Sequence, residues 1–124
     1  MARTEDGLLL LVDSITEIGP ADAGRVVLSG SHGGISSGRY ALAVPLKLVV
    51  FNDAGVGKDD AGIAALALLQ AHGRAAATVA HHSARIGDAA DTRAHGVVSH
   101  ANDAARALGI TLSHPIRELL RRLA

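Results

Sequence analysis

The chain has 124 residues, enough for one domain that hides roughly two-thirds of its unfolded surface on folding. Its 12 basic residues balance 12 acidic ones, which argues against a polyanion partner such as nucleic acid. With no cysteine the chain has no disulfide, thiolate metal site or cysteine nucleophile.

One Phe, one Tyr and no Trp leave Ala, Val, Leu and Ile to fill the core, so helices and sheet should approach closely. The apolar run Leu8–Val12 is too short for a signal segment, and acids precede it. No stretch reaches the roughly 20 apolar residues that span a bilayer, so a cytoplasmic protein without membrane attachment is expected.

In chain order, Leu8–Val12 is a continuous apolar run, the pattern of a strand buried on both faces. Gly19-Pro20 marks a turn, and Arg25–Ser29 reads as a second strand. The segment Gly30-Ser31-His32-Gly33-Gly34 follows. A short helix then starts near Ser36 or Ser37, either of which can cap it, and stops at Pro45. Leu46–Phe51 is the third strand. Asn52 to Lys58 is a loop by composition, and Asp59 or Asp60 can cap a helix that runs to His72 and ends at Gly73. That helix is apolar on nearly every side, which predicts cover on both faces, by the sheet and by another helix or subunit.

Ala75–Ala80 is a fourth strand, leading into His81-His82-Ser83. Arg85 to Asp91 is a polar stretch. Val97, Val98, Ala101, Ala104, Ala105 and Leu108 fall at helical spacing up to Gly109, which places His95, Ser99 and His100 on a helix. Ile116, Leu119, Leu120 and Leu123 form the stripe of a last helix, about 114–124, with Pro115 in its first turn. The alternation predicts a single α/β domain over 1–124, with a partly parallel sheet of about four strands and flanking helices.

Open α/β sheets bind ligands beyond the carboxyl ends of their strands. Three predicted strand ends carry unusual polar sequence. After the second strand, Ser31, Gly33, Gly34, Ser36 and Ser37 can present N–H and hydroxyl donors to a carboxylate, phosphate or oxyanion, with His32 beside them. This loop is neither a Walker A sequence nor a dinucleotide fingerprint. After the third strand, Asn52, Asp53 and Lys58 offer a base or a charge clamp. After the fourth, His81 or His82 can move protons, with Ser83 and Arg85 as substrate contacts. His32, Ser37, Asp53 and His81 are the catalytic candidates. No cofactor is expected. The single divalent-metal set available is His32, His81 and Asp53, which lacks local ligand spacing.

Arg25 to Gly38, with its Val-Val-Leu strand and Gly-Ile-Ser-Ser-Gly loop, resembles the small swivelling-domain subunit of aconitase-X-type and phosphomevalonate dehydratases. The resemblance covers about residues 24–80. It implies that Ser36 or Ser37 binds or protonates substrate beside a larger partner subunit. His32, the 52–58 loop and His81-His82 depart from that pattern.

These readings converge on a small enzyme using acid–base chemistry on a small anionic metabolite, as a lyase, hydrolase or isomerase. The alternatives are a non-catalytic metabolite-binding module or a subunit that completes a partner's site. The apolar helix 59–72 and the leucine stripe at 116–123 predict a homo-oligomer.

Overall fold

The computed structural model describes residues 3–123. Six strands lie side by side in chain order: β1 (Arg3–Asp6), β2 (Leu9–Val12), β3 (Val26–His32), β4 (Leu48–Asn52), β5 (Ala76–Val79) and β6 (Val98–Ala101). Strands β2 to β5 are parallel, while β1 and β6 flank them antiparallel. The helices are α1 (Ile35–Leu42), α2 (Ala64–Gln70), α3 (Ala89–His95), α4 (Asp103–Ala107) and α5 (Ile116–Leu120). The fold is α/β, as expected, but the sheet has six strands rather than four.

Both extra strands are edges whose sequences carry no buried-strand signal. In β1, Arg-Thr-Glu-Asp is exposed throughout; it is a strand because Gly7, at φ 59°, turns it back onto β2 in a two-residue hairpin. Strand β6 corrects the expected 97–108 helix. Val98 and Ala101 do sit at helical spacing, but this stretch pairs with β5 and the helix begins only after Asn102. Asp88, accepting from the Asp91 N–H, caps α3 inside the stretch expected to be merely polar.

Alternation along the buried strands sorts the core into two layers. Leu10, Val12, Val27, Val49 and Phe51 pack with Ile15, α1 and α2 on one face. Leu11, Val26, Leu28, Leu48 and Val50 pack with α3, α4 and α5 on the other. The small-residue composition becomes close approach: a Cβ on Gly38 of α1 would stand 2.9 Å from the Ala65 Cβ of α2. Helix α2 is covered on one side only within the chain, since Ala67 is exposed and Leu68 half-buried. The Ile116, Leu119 and Leu120 stripe is consumed by the chain's own core.

Asn102 ties this assembly together. Its Oδ1 accepts from the Ala76 and Ala105 N–H groups, and its Nδ2 donates to the Leu66 and Arg74 carbonyls. One side chain thereby caps α4 and joins α2 to the start of β5. At the opposite sheet edge, Arg3 grips buried Asp22 through two guanidinium nitrogens, at 2.6 and 3.1 Å.

Candidate functional site

The connections leaving the parallel strands determine where a site can form. Those after β2, β3 and β4 all pass to the face of α1 and α2, whereas the one after β5 passes to the face of α3. Neighbouring strands β4 and β5 therefore send their chains to opposite faces. The two chains part at these carboxyl ends, the position at which α/β proteins bind ligands. Asp53 and His81 begin those two diverging loops.

Asp53 is 4% exposed. Its Oδ1 accepts from the Gly55 N–H at 2.8 Å and the His81 N–H at 3.0 Å, and lies 3.3 Å from His81 Nδ1. Burial pushes the carboxyl pKa up, but the Gly55 N–H, the Ser99 hydroxyl, the His81 N–H and charge on His81 together hold it below its ordinary value. The group is thus a fixed, buried carboxylate. The His81 side chain is 57% exposed, and its Nδ1 faces that carboxylate, which favours a proton on Nδ1 and leaves Nε2 as the basic nitrogen. His82 sets its ring edge-on to His81 at 5.3 Å, so of the two histidines His81 is the one engaged by Asp53.

His32 ends β3, in register with Asn52. Its Nδ1 accepts the Gly34 N–H at 3.0 Å, so the neutral ring carries its proton on Nε2. The two histidines are thereby set to opposite tautomers, one on each side of the β4 terminus. Their strands are two positions apart, ~9.5 Å by sheet spacing. His32, Gly34, Ile35, Ala54, Val56 and Gly57 line an open depression of about 490 Å³. His81 packs against the other side of the same loop, where a Cβ on Gly55 would lie 3.7 Å from its ring.

That loop is strained. Ala54, Val56, Asp59 and Asp60 all have positive φ, between 53° and 66°. Asp59 and Asp60 do not cap α2 as expected; they sit in a 3₁₀ segment, Lys58–Ile63, that precedes it. The wrap is tight because a Cβ on Gly62 would stand 2.0 Å from the Asp53 carbonyl oxygen.

Several expected site residues are used for construction. Gly33 donates its N–H to the Asn52 carbonyl, and Gly30 packs against the backbone of Asp13 and Asp88. Ser31 Oγ accepts from the Ile15 N–H. Asn52 is fully buried, donating to the Ala84 carbonyl and accepting from the Ala54 N–H. Ser83 Oγ bridges the Ala80 carbonyl and the Val97 N–H. Gly34, not Ser36 or Ser37, caps α1; Ser37 is buried and Ser36 exposed. Lys58 is exposed, and the Arg85 side chain, 80% exposed, lies 4.0 Å from Asp88.

Sequence reasoning missed Ser99 of β6, whose hydroxyl helps hold the Asp53 carboxyl pKa down and bonds Thr78 at 2.9 Å. Nothing in the sequence marks it, because Val97-Val98-Ser99-His100-Ala101 has no strand periodicity. His32 does not complete a metal set with Asp53 and His81: among the described residues no three His, Asp or Glu side chains group as metal ligands.

Fold and site define a mixed α/β domain with a histidine–carboxylate pair at the divergence of two strand connections. The chain matches no known family model, no curated protein and no solved structure. Among the described residues no helix is long and apolar enough to cross a membrane.

Proposed function

We propose that this chain is a small acid–base enzyme acting on a small anionic metabolite that carries a carbonyl or carboxylate group. The observation that carries this reading is the buried Asp53 carboxylate against the exposed His81 ring, with His32 in the complementary tautomer across the β4 terminus. His81 Nε2 abstracts a proton from substrate, and Asp53 steadies the imidazolium that forms. His32 Nε2–H donates to the oxygen on which negative charge develops. The N–H groups at the start of α1, with the hydroxyl of Ser36, hold the substrate anion. Lys58 and Arg85 supply positive charge at the rim. Proton abstraction of this kind serves a lyase or an isomerase, and the same groups would activate water in a hydrolase.

The test is deuterium wash-in. Wild type, His81→Asn and His32→Ala are incubated in D₂O with a panel of small oxo and hydroxy acids and followed by proton NMR. Both histidines are exposed, so both variants should fold. Enzyme-dependent exchange that falls by about 10²-fold or more in His81→Asn supports the proposal. Exchange indifferent to both substitutions sinks it.

A second reading is a non-catalytic binding module. It is favoured by one observation: the depression beside His32 does not include His81. Under that reading ligand binding is lost in His32→Ala, survives in His81→Asn, and is accompanied by no exchange.

A further inference from the structure

A second cavity lies at the other end of the sheet. It measures about 500 Å³ and is bounded by the amino ends of β2 and β3 and by helices α3 and α5. Leu9, Val26 and Leu120 give it an apolar floor, while Arg93, Arg117 and Arg121 stand around it. Its volume falls within the ordinary range for small-molecule pockets, as does its pattern of apolar walls with a few polar groups.

The three arginines are not equivalent. Arg93 is ion-paired with Asp6 at 2.6 Å, so that pair is close to neutral and holds the α3 side of the wall to β1. Arg117 makes a long contact, 3.4 Å, to the Ala94 carbonyl. Among the described residues neither Arg117 nor Arg121 has an acidic partner. They stand four residues apart with helical backbone at Arg121, so their side chains emerge on one face of α5, one turn apart. The cavity thus offers an apolar interior with, at one wall, two guanidinium groups that no acidic side chain among the described residues pairs.

We infer that this cavity is a second binding site, which takes an amphiphilic monocarboxylate: the apolar body against Leu9, Val26 and Leu120, and the carboxylate on Arg117 and Arg121. Guanidinium groups match a carboxylate's geometry, and a desolvating apolar floor strengthens the contact. The position, at the amino ends of the strands, separates this site from Asp53 and His81 at their carboxyl ends. Occupancy braces α5 against α3 and β2.

The experiment titrates the full chain with decanoate, butyrate and decylammonium, each below its aggregation concentration. Calorimetry gives stoichiometry, and amide shifts give location. Decanoate should bind one-to-one with a Kd below about 1 mM, and decylammonium should bind roughly tenfold or more weakly. Shifts should cluster at Val26 and Ala94 rather than at Gly55 and His81. The double variant Arg117→Glu/Arg121→Glu, changed only at exposed positions, should reverse the order of decanoate and decylammonium. Ala94→Leu, which fills the cavity from an exposed helical site, should weaken decanoate with the arginines intact. Decanoate binding that ignores both variants, or no binding, overturns the inference. So does a concentration-dependent dimer that Arg121→Glu dissolves, because the occupant would then be a second copy of this chain.

Discussion

The Asp53 carboxylate, at the end of β4, lies 3.3 Å from Nδ1 of His81, at the end of β5, where neighbouring parallel strands send their connections to opposite faces of the sheet. The carboxylate is buried and the imidazole exposed, so one is fixed and the other can reach solvent or substrate.

Asp53→Asn tests that pairing. The amide oxygen can still accept from Gly55 and His81, so most local geometry should persist, but the negative charge is gone. A stability loss of about 1–2 kcal/mol is expected in urea unfolding at pH 7. Any exchange activity should fall far more, by about 10²-fold or beyond, because the developing imidazolium loses its counter-charge. Equal activity in the two proteins would remove Asp53 from the mechanism. Because the folded pKa is depressed, the stabilising contribution of the carboxylate is complete above its unfolded value near 3.9. It is lost as pH falls through the folded one.

The same sign governs Asp22, where the Arg3 guanidinium holds the carboxyl below its usual range, helped by the Gly19 N–H. Asp22 is buried, but Arg3 is partly exposed and screened, so the contribution is about 1–2 kcal/mol. Wild type should lose that increment below about pH 4, whereas Asp22→Asn should start lower and decline less between pH 5 and pH 2.5. Parallel urea midpoints for the two proteins across that interval would show that the pair does not matter.

Asn102→Ala should be among the most damaging single substitutions. It takes the acceptor from the Ala76 N–H and the donor from the Arg74 carbonyl, removes a second bond from the Leu66 carbonyl and uncaps α4. A loss of about 3 kcal/mol is expected, or about 10 °C in Tm for a chain of this size. Asn102→Asp separates the two halves of the side chain. It keeps both acceptor bonds but sets an anion against two carbonyls, so it should be relatively more stable at pH 5 than at pH 8. A loss below about 1 kcal/mol in Asn102→Ala would mean that water replaces the amide without difficulty.

The buried strands were legible because they are continuous apolar runs, and their carboxyl ends were marked by clustered polar residues. The edges were not. Arg3–Asp6 is a strand by virtue of its hairpin partner, and Val98–Ala101 by virtue of β5, and neither carries that information in its own periodicity. At the site, Asp53, His32 and His81 were identifiable as chemistry-bearing residues at strand ends. Choosing His81 over His82 required the Asp53 contact. Two glycines of the glycine and serine loop serve packing. Gly30 and Gly33 permit backbone to meet backbone, which has the same sequence signature as backbone meeting ligand. Ser99 was hidden because its strand was read as a helix.

The strained loop between Asp53 and Lys58 gives the last prediction. Val56 has φ 66°, a conformation that is costly for a β-branched residue, and it lines the depression beside His32. Relieving that strain is worth about 1–2 kcal/mol, which offsets the burial lost when a half-buried valine is removed. Val56→Gly should therefore leave stability unchanged or raise it by up to about 1 kcal/mol, where an ordinary Val→Gly change in a loop would lower it. The freed loop should also hold Asp53 and Gly55 less firmly. Exchange activity or ligand affinity should then drop while urea stability does not, the pattern of strain retained for function. A stability loss above about 1.5 kcal/mol would show that the Val56 side chain contributes more by packing than its backbone costs.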